Sequence, residues 1–190
     1  MATMLLLLAV SSVELLNSFE TINVTVCNQG GVGNSVVAAA KAEVERVYWA
    51  VGVQVAWHPC DEFADPERPS RVPWFLIRLR NDKPLAPAGP ASLAVMGRAF
   101  VGEREEGTVA DAYFREIRAT AEQDHADAGA LLGFVIAHEL GHLLLGPGHE
   151  GEGVMRAEWG HKEIDAVRQR RLWFTRDGAQ RIREVLAARK

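Results

Sequence analysis

The sequence predicts an α+β fold, α/β-like in its N-terminal part, with a twisted, mostly parallel sheet of about five strands and one antiparallel edge strand. Three observations predict it. Short segments with the apolar patterns typical of β-strands recur in the first part of the chain. A segment with the pattern of an amphipathic helix separates the first two predicted strands. A long apolar helix and a small, mainly helical part then follow. The 190 residues suit a single domain, 1–190, with one core.

The first two strands predict a parallel pair joined by a helix. Residues 21–27 alternate apolar and polar side chains, and residues 53–57 form the second strand. The turn "NQGGVGN" has neither the spacing of a dinucleotide-binding fingerprint nor the lysine of a P-loop, so we interpret it as a turn only. We expect Asn34 or Ser35 to cap the helix. Its apolar face comprises Val37, Ala40, Val44, Val47, Tyr48 and Val51.

Three further strands complete the predicted sheet. Residues 74–80 form the third strand, between two proline-bearing loops. Residues 92–100 and 108–114 predict a hairpin around the charged turn "VGEREEG", which supplies the antiparallel edge strand. Gly97 lies inside the first of these strands, where a glycine indicates a bulge or a close approach of the backbone.

Four helices are predicted in the second half of the chain. Residues 115–123 predict a polar helix, and residues 128–145 predict a long apolar helix with Asp127 as its N-cap. Residues 161–172 predict a third helix. Thr175 is expected to cap a last helix, whose apolar side holds Ile182, Val185 and Leu186.

Charge and hydropathy exclude two classes of partner. The net charge is -4 and the chain has no run of lysine and arginine, so nucleic acid is not an expected partner. No apolar run approaches the length of a membrane span, because the longest covers residues 4–10. We therefore expect no transmembrane segment.

Two features bear on the compartment without settling it. "MATMLLLLAVSS" has the apolar stretch and small residues of a secretory signal but no basic residue before Lys41. Residues 1–18 are therefore either an export signal or a lead-in packed on the core of a cytoplasmic protein. Cys27 and Cys60 lie at the ends of predicted strands, so a disulfide between them fits an exported protein. We favour the alternative of two small, buried, unpaired side chains.

Two of the six histidines, His138 and His142, lie four residues apart in the long predicted helix. That spacing places both imidazoles on one face, where they can bind one metal ion. Glu139 can then reach a water molecule bound to that ion. This arrangement of two ligands and one carboxylate is the chemical basis of the pattern H-E-x-x-H. Burial of two imidazoles and a carboxylate would be unfavourable without such a partner. Nitrogen ligands favour zinc, which takes three protein ligands in catalytic sites.

A third ligand is expected just after the helix. "GPG" at residues 146–148 ends the helix and reverses the chain, so His149 is the natural candidate. The competing ligands are Glu150 and Glu152 nearby, and Glu163, Asp165 and His161 further along. We expect the remaining histidines, His58, His125 and His161, to be surface or capping residues.

"HELGHLLLGPGH" followed by "GVM" resembles the metzincin clan of zinc endopeptidases. More narrowly, it is similar to a group of short, uncharacterised bacterial metzincin-like proteins, over residues 134–159. The resemblance implies one catalytic Zn²⁺ with His138, His142 and His149 as ligands. It also implies that Glu139 is the general base and that Met155 lies in a Met-turn beneath the metal.

The same resemblance implies a zincin-like arrangement of the fold. The sheet and the active-site helix would form an upper part, 19–148, and the Met-turn and last helices a lower part, 149–190. A peptide substrate would add itself as a strand along the edge strand, 92–100.

Two departures from the metzincin pattern H-E-x-x-H-x-x-G-x-x-H are visible. Leu145 stands at the glycine position and Gly148 at the position of the third histidine, so everything after His142 arrives one residue late. Either the helix is one residue longer or the turn holds an extra residue. In addition, no tyrosine follows Met155, so a tyrosine that stabilises the transition state in some metzincins has no counterpart.

The sequence thus predicts a monomeric zinc metalloendopeptidase that acts on peptide or protein substrates. One alternative is a zinc-binding, non-proteolytic interaction domain on the same fold, which Glu139 disfavours because a structural site needs no base. A metal-free interaction domain is another. A gluzincin-like enzyme with a carboxylate ligand is disfavoured by His149 and "GVM".

Overall fold

The computed structural model describes residues 19–64, 72–81, 95–102 and 107–189. The expected signal or lead-in, 1–18, lies outside the described residues, as do the first residues of the predicted edge strand, 92–94.

The described residues contain a five-stranded sheet in the spatial order β2-β1-β3-β5-β4. The neighbours β2, β1, β3 and β5 are parallel, and β4 pairs with β5 in the antiparallel direction. The predicted fold class is therefore confirmed, including the parallel first pair and the antiparallel edge strand. The strands are β1 (Glu20–Asn28), β2 (Val53–His58), β3 (Trp74–Arg80), β4 (Gly97–Val101) and β5 (Gly107–Tyr113).

Five α-helices and one short 3₁₀ helix, Cys60–Ala64, accompany this sheet in the described part of the chain. The α-helices are α1 (Asn34–Trp49), α2 (Phe114–Gln123), α3 (Ala128–Leu145), α4 (His161–Arg168) and α5 (Arg176–Ala188). Two predicted caps are confirmed. The Asp127 carboxylate accepts the backbone N–H of Ala130 at 2.7 Å, and the Thr175 hydroxyl accepts that of Gly178 at 3.0 Å.

Helix α3 runs through the core and contacts α1 and the strands β4 and β5. Within the described residues it alone has the length and apolar composition of a membrane span. Most of its residues are buried inside the protein, from Gly129 through Leu144 with His138 partly accessible. This all-round burial is typical of the central helix of a globular fold.

Several predicted boundaries are wrong for local reasons. The N-cap of α1 is Gly33 rather than Asn34 or Ser35, because the Gly33 carbonyl already accepts the backbone N–H of Val37, at 3.1 Å. Strand β4 begins at Gly97, and α4 ends at Arg168 rather than residue 172. The chain leaves α4 through Arg170, which has a positive φ of 53°.

Cys27 and Cys60 form a disulfide, so the prediction of two unpaired side chains is wrong. In the parallel register of β1 and β2, Thr25 lies opposite His58. Cys27 and Cys60 each follow two residues after this pair. Neighbouring parallel strands end at the same edge of the sheet, which brings the two side chains together.

Candidate active site

Helix α3 and the turn after it bring three histidines together. Their ligand nitrogens, on His138, His142 and His149, all lie within 4.8 Å of one another. The ring centroids of His142 and His149 are 4.7 Å apart, and those of His138 and His142 are 4.6 Å apart. The grouping that the sequence predicted for these residues is therefore present.

Backbone carbonyls fix the two helical imidazoles. Nδ1 of His138 donates to the carbonyl of Val154 at 2.6 Å, and Nδ1 of His142 donates to that of Gly146 at 3.0 Å. A carbonyl oxygen only accepts, so the proton of each neutral ring lies on Nδ1. The Nε2 atoms, which then carry lone pairs, face one another at 3.0 Å. Two facing lone pairs repel each other, and a metal ion bound by both would relieve that repulsion. This orientation is the one that metal-ligating histidines adopt.

Burial keeps these imidazoles in the form that binds metals. Removal from water lowers the pKa of His138 to about 4, although its bond to the Val154 carbonyl opposes the shift. Removal from water also lowers the pKa of His142. Both rings are therefore neutral at pH 7, as a metal ligand must be. The donor set and its protonation fit a zinc ion.

The late arrival of His149 is explained by a longer helix. Helix α3 continues through Leu145, and Gly146 takes the helix-ending turn with a φ of 88°. From Gly146 onwards the spacing G-x-x-H of the metzincin pattern is intact. The extra residue thus lies inside the helix, and the turn that delivers His149 has its usual length.

Two of the competing carboxylates are engaged elsewhere. Glu150 accepts the hydroxyl of Thr175 at 2.7 Å and lies 3.7 Å from the guanidinium of Arg181, so it anchors the turn to α5. Glu163 accepts Arg156 at 3.1 Å and the backbone N–H of Gly160 at 3.0 Å.

The other competing residues lie outside the cluster. Asp165 pairs with Arg168 at 3.0 Å on an exposed face of α4. The His161 ring is almost fully exposed, 4.0 Å from Asp124. Glu152 is exposed in the loop after His149. His149 is therefore the described side chain that joins the two helical histidines.

Glu139 is buried between α3 and the edge strand β4, with only 5% of its surface exposed. Burial raises the pKa of its carboxyl to about 8, a hydrogen bond from the Ala99 backbone lowers it, and nearby Asp111 raises it. With that pKa the carboxyl would be largely protonated at pH 7, and the positive charge of a metal ion held by the nearby histidines would lower its pKa towards the range of a general base.

The expected close approach at Gly97 is confirmed, and Glu139 is its cause. A Cβ atom added to Gly97 would collide with Oε1 of Glu139 and lie 2.8 Å from its Cγ and Cδ. Gly97 therefore leaves the space in which the Glu139 side chain lies.

Met155 is buried beneath the histidine-bearing part of α3. A Cβ atom on Gly141 would collide with the Met155 sulfur and lie 3.3 Å from the ring of Phe174. Close contact between the helix and Met155 therefore requires glycine at position 141. The adjacent Val154 connects Met155 to the histidine cluster, because the Val154 carbonyl accepts the hydrogen bond from His138.

The three histidines and Glu139 line a cleft of about 980 Å³. Strand β4 with the preceding Val95 and Met96 forms one wall of this cleft. Residues 156–161, called the wall segment below, form another. Trp159 of that wall packs edge-on to His138, with ring centroids 5.8 Å apart. No sequence pattern predicted that residues 156–161 line the cleft, although their position directly after "GVM" was a usable signal.

No family model matches the sequence, and no curated protein matches it. Among solved structures, the chain is similar to archaemetzincin from Methanopyrus kandleri, with a TM-score of 0.58 and 17% identity. The match covers 91% of this chain and 99% of archaemetzincin. At this identity the likeness concerns the fold. Together with the sheet topology, it shows that the chain has a metzincin-like α+β fold.

Proposed function

We propose that the chain is a zinc-dependent endopeptidase in which His138, His142 and His149 hold one Zn²⁺ and Glu139 is the general base. The observation that carries the proposal is the pair of Nε2 lone pairs facing each other at 3.0 Å, with His149 beside them and Glu139 in the same cleft. The position of Met155 beneath α3 supports its assignment as the Met-turn residue.

The chain's own residues divide the chemistry among them. When bound, zinc lowers the pKa of a water molecule to about 7 and polarises the scissile carbonyl. Glu139 takes a proton from the attacking water and delivers it to the leaving amine. The Val154 and Gly146 carbonyls hold the imidazoles of His138 and His142 in the ligating orientation throughout.

The substrate binds in extended form along β4. This strand pairs with β5 on one side, and among the described residues no strand pairs with its other side. A peptide backbone can add to such an edge through main-chain hydrogen bonds, which are independent of its sequence. That edge lies beside Glu139, since the Ala99 backbone bonds its carboxylate.

Purified protein loaded with zinc should cleave members of a mixed peptide library, as followed by mass spectrometry. Treatment with a chelator should abolish cleavage, and added Zn²⁺ should restore it, because the histidine cluster is preformed. Zinc analysis of the same samples should give one ion per chain.

The matched variants are His149→Ala and His161→Ala. The first removes a proposed ligand and should strongly reduce zinc content, whereas the second removes an exposed ring outside the cluster and should not. Full zinc content in His149→Ala would refute its role as third ligand. Stoichiometric zinc without any cleavage would favour the alternative of a non-proteolytic binding domain.

Replacement of Gly97 by alanine should lower kcat/KM for peptide cleavage by roughly a hundredfold. The added methyl group would collide with the carboxylate of Glu139 and displace the base, while the zinc content should stay unchanged. Gly33→Ala is the control, since a Cβ there meets no atom within 4 Å. Wild-type kinetics in Gly97→Ala would show that Glu139 tolerates the displacement or is not the base.

The chain acts in an oxidising compartment after export, in this proposal. The disulfide between Cys27 and Cys60 supports it, because such bonds persist in oxidising environments and are rare in the cytosol of mesophiles. Two free thiols in protein isolated from its own cells would contradict it. The expectation of a monomer and the division into an upper and a lower part stay predictions.

A further inference from the structure

We propose that Arg156 binds a carboxylate group of the substrate, so that the cleft selects peptides with an acidic side chain or a free C-terminus close to the scissile bond. This inference rests on the proposed function. It concerns the substrate class, which the histidine cluster does not determine.

Arg156 follows the buried Met155 directly and lines the same cleft as His138, Glu139 and His149. Its side chain is 40% exposed, so the guanidinium group is accessible from the cleft. Among the described residues, its side chain has one hydrogen-bonding partner, Glu163. A guanidinium carries five N–H donors, and the bond from NH1 to Glu163 uses only part of this capacity.

Glu163 holds this guanidinium in place. Its own side chain is only 4% exposed, and its second oxygen accepts the backbone N–H of Gly160 at 3.0 Å. The Glu163 carboxylate therefore bonds both Arg156 and Gly160, near the two ends of the wall segment, and restricts the Arg156 side chain. Because part of the side-chain entropy of Arg156 is already lost, binding of a second carboxylate is less costly than at a free surface arginine.

The other charged groups of the cleft do not offer the same site. Arg98 lies on β4, and its guanidinium is over the ring of Phe100, with the charge 5.5 Å from the ring centroid. Asp124 and Glu158 also line the cleft, but acidic side chains do not bind a carboxylate, and Asp124 lies 4.0 Å from His161. Arg156 is thus the guanidinium that a buried partner positions in the same cleft as the histidines and Glu139. Bidentate recognition of carboxylates is the task to which arginine is best suited.

The test uses four fluorogenic peptides that share one core sequence. They carry either Glu or Gln beside the cleaved bond and either a free or an amidated C-terminus. We expect kcat/KM of the zinc-loaded wild type to be about ten- to hundredfold higher for the preferred carboxylate than for its amide. Which pair shows the difference identifies the source of the carboxylate.

In Arg156→Gln this preference should vanish, because the variant lacks the guanidinium that distinguishes a carboxylate from its amide. Arg156→Gln alone leaves the buried carboxylate of Glu163 without its charged partner. The double variant Arg156→Gln/Glu163→Gln removes both charges and should show the same loss of preference. Arg168→Gln is the matched control, because Arg168 pairs with Asp165 on an exposed part of α4. It should keep the preference.

Binding supplies a readout that does not depend on turnover. Calorimetry on the zinc-loaded Glu139→Gln protein should give the same preference for a carboxylate, and Arg156→Gln in that background should abolish it. If the protein binds carboxylate peptides preferentially but the wild type cleaves none of them, the proposed function is wrong and this inference still holds. Cleavage without any preference, or an equal loss on all four peptides in both Arg156 variants, would overturn the inference and leave the proposed function intact.

Discussion

Replacement of Glu139 by glutamine is expected to lower peptide hydrolysis by about a thousandfold while zinc remains bound. A positioned general base typically contributes a factor of about 10² to 10⁴, and the amide of glutamine cannot take up the proton. The two side chains have nearly the same shape, so glutamine fits the space beside Gly97. The three histidines are unaffected, which is why the metal content should not change.

The measurement combines kcat/KM on a cleaved peptide with zinc analysis of the same preparation. Glu152→Gln is the matched control, because Glu152 is an exposed carboxylate in the loop after His149 and should tolerate the change. Retained hydrolysis in Glu139→Gln would require another base. Loss of zinc in this variant would show that the carboxylate contributes to metal binding and would make the activity loss uninterpretable as loss of a base.

The largest expected effect on stability comes from the disulfide. The double variant Cys27→Ala/Cys60→Ala should lower the free energy of unfolding by about 3–4 kcal/mol, because the bond closes a loop with a sequence separation of 33 in the unfolded chain. That is a large share of the roughly 5–15 kcal/mol that stabilises a typical domain. Urea unfolding of zinc-free protein measures it without the contribution of metal binding.

Reduction of the wild type with a thiol should produce a similar loss, and reduction of the double variant should have no further effect. Zinc content at low denaturant should be the same in both proteins, since the disulfide joins β1 to the 3₁₀ helix after β2, and neither contributes a histidine to the cluster. Equal unfolding free energies for the oxidised wild type and the double variant would mean that the bond adds no net stability.

The features that local sequence determines were predictable. The spacing of His138 and His142, the cap at Asp127 and the glycine that ends α3 are all set within a few residues, and each is found in the structure. The parallel pairing of β1 and β2 was accessible for a similar reason, since a strand–helix–strand pattern favours parallel neighbours. Even the late arrival of His149 was visible, although its location inside the helix was not.

Features that depend on distant partners were not predictable. Glu43 lies on the apolar face of α1, fully buried, and its carboxylate is paired with Arg46 and with Arg170, which is 127 residues away. No periodicity in α1 indicates such a partner, and burial of the unpaired carboxylate would be very unfavourable. The pairing of Cys27 with Cys60 likewise depends on strand register, which a count of two cysteines does not give.

The wall of the cleft is a third case. Arg156 and Glu163 are close in sequence, but residues 157–160, which join Arg156 to α4, have no regular structure that would fix their contact. Gly97 was correctly expected to admit a close neighbour, and yet only the packing of β4 on α3 identifies that neighbour as Glu139.

The anchoring of the histidine turn also dictates when the site can exist during synthesis. Val154, whose carbonyl orients His138, donates its own N–H to the carbonyl of Trp173 at 2.9 Å, and Glu150 is held by Thr175. During translation α3 is synthesised before Trp173 and Thr175, the two residues that hold this turn. A nascent chain therefore carries its pair of helical histidines without a fixed turn to complete them. If the chain is the proposed zinc peptidase, we expect metal capture, and any ability to cut neighbouring chains, only after translation has passed Thr175.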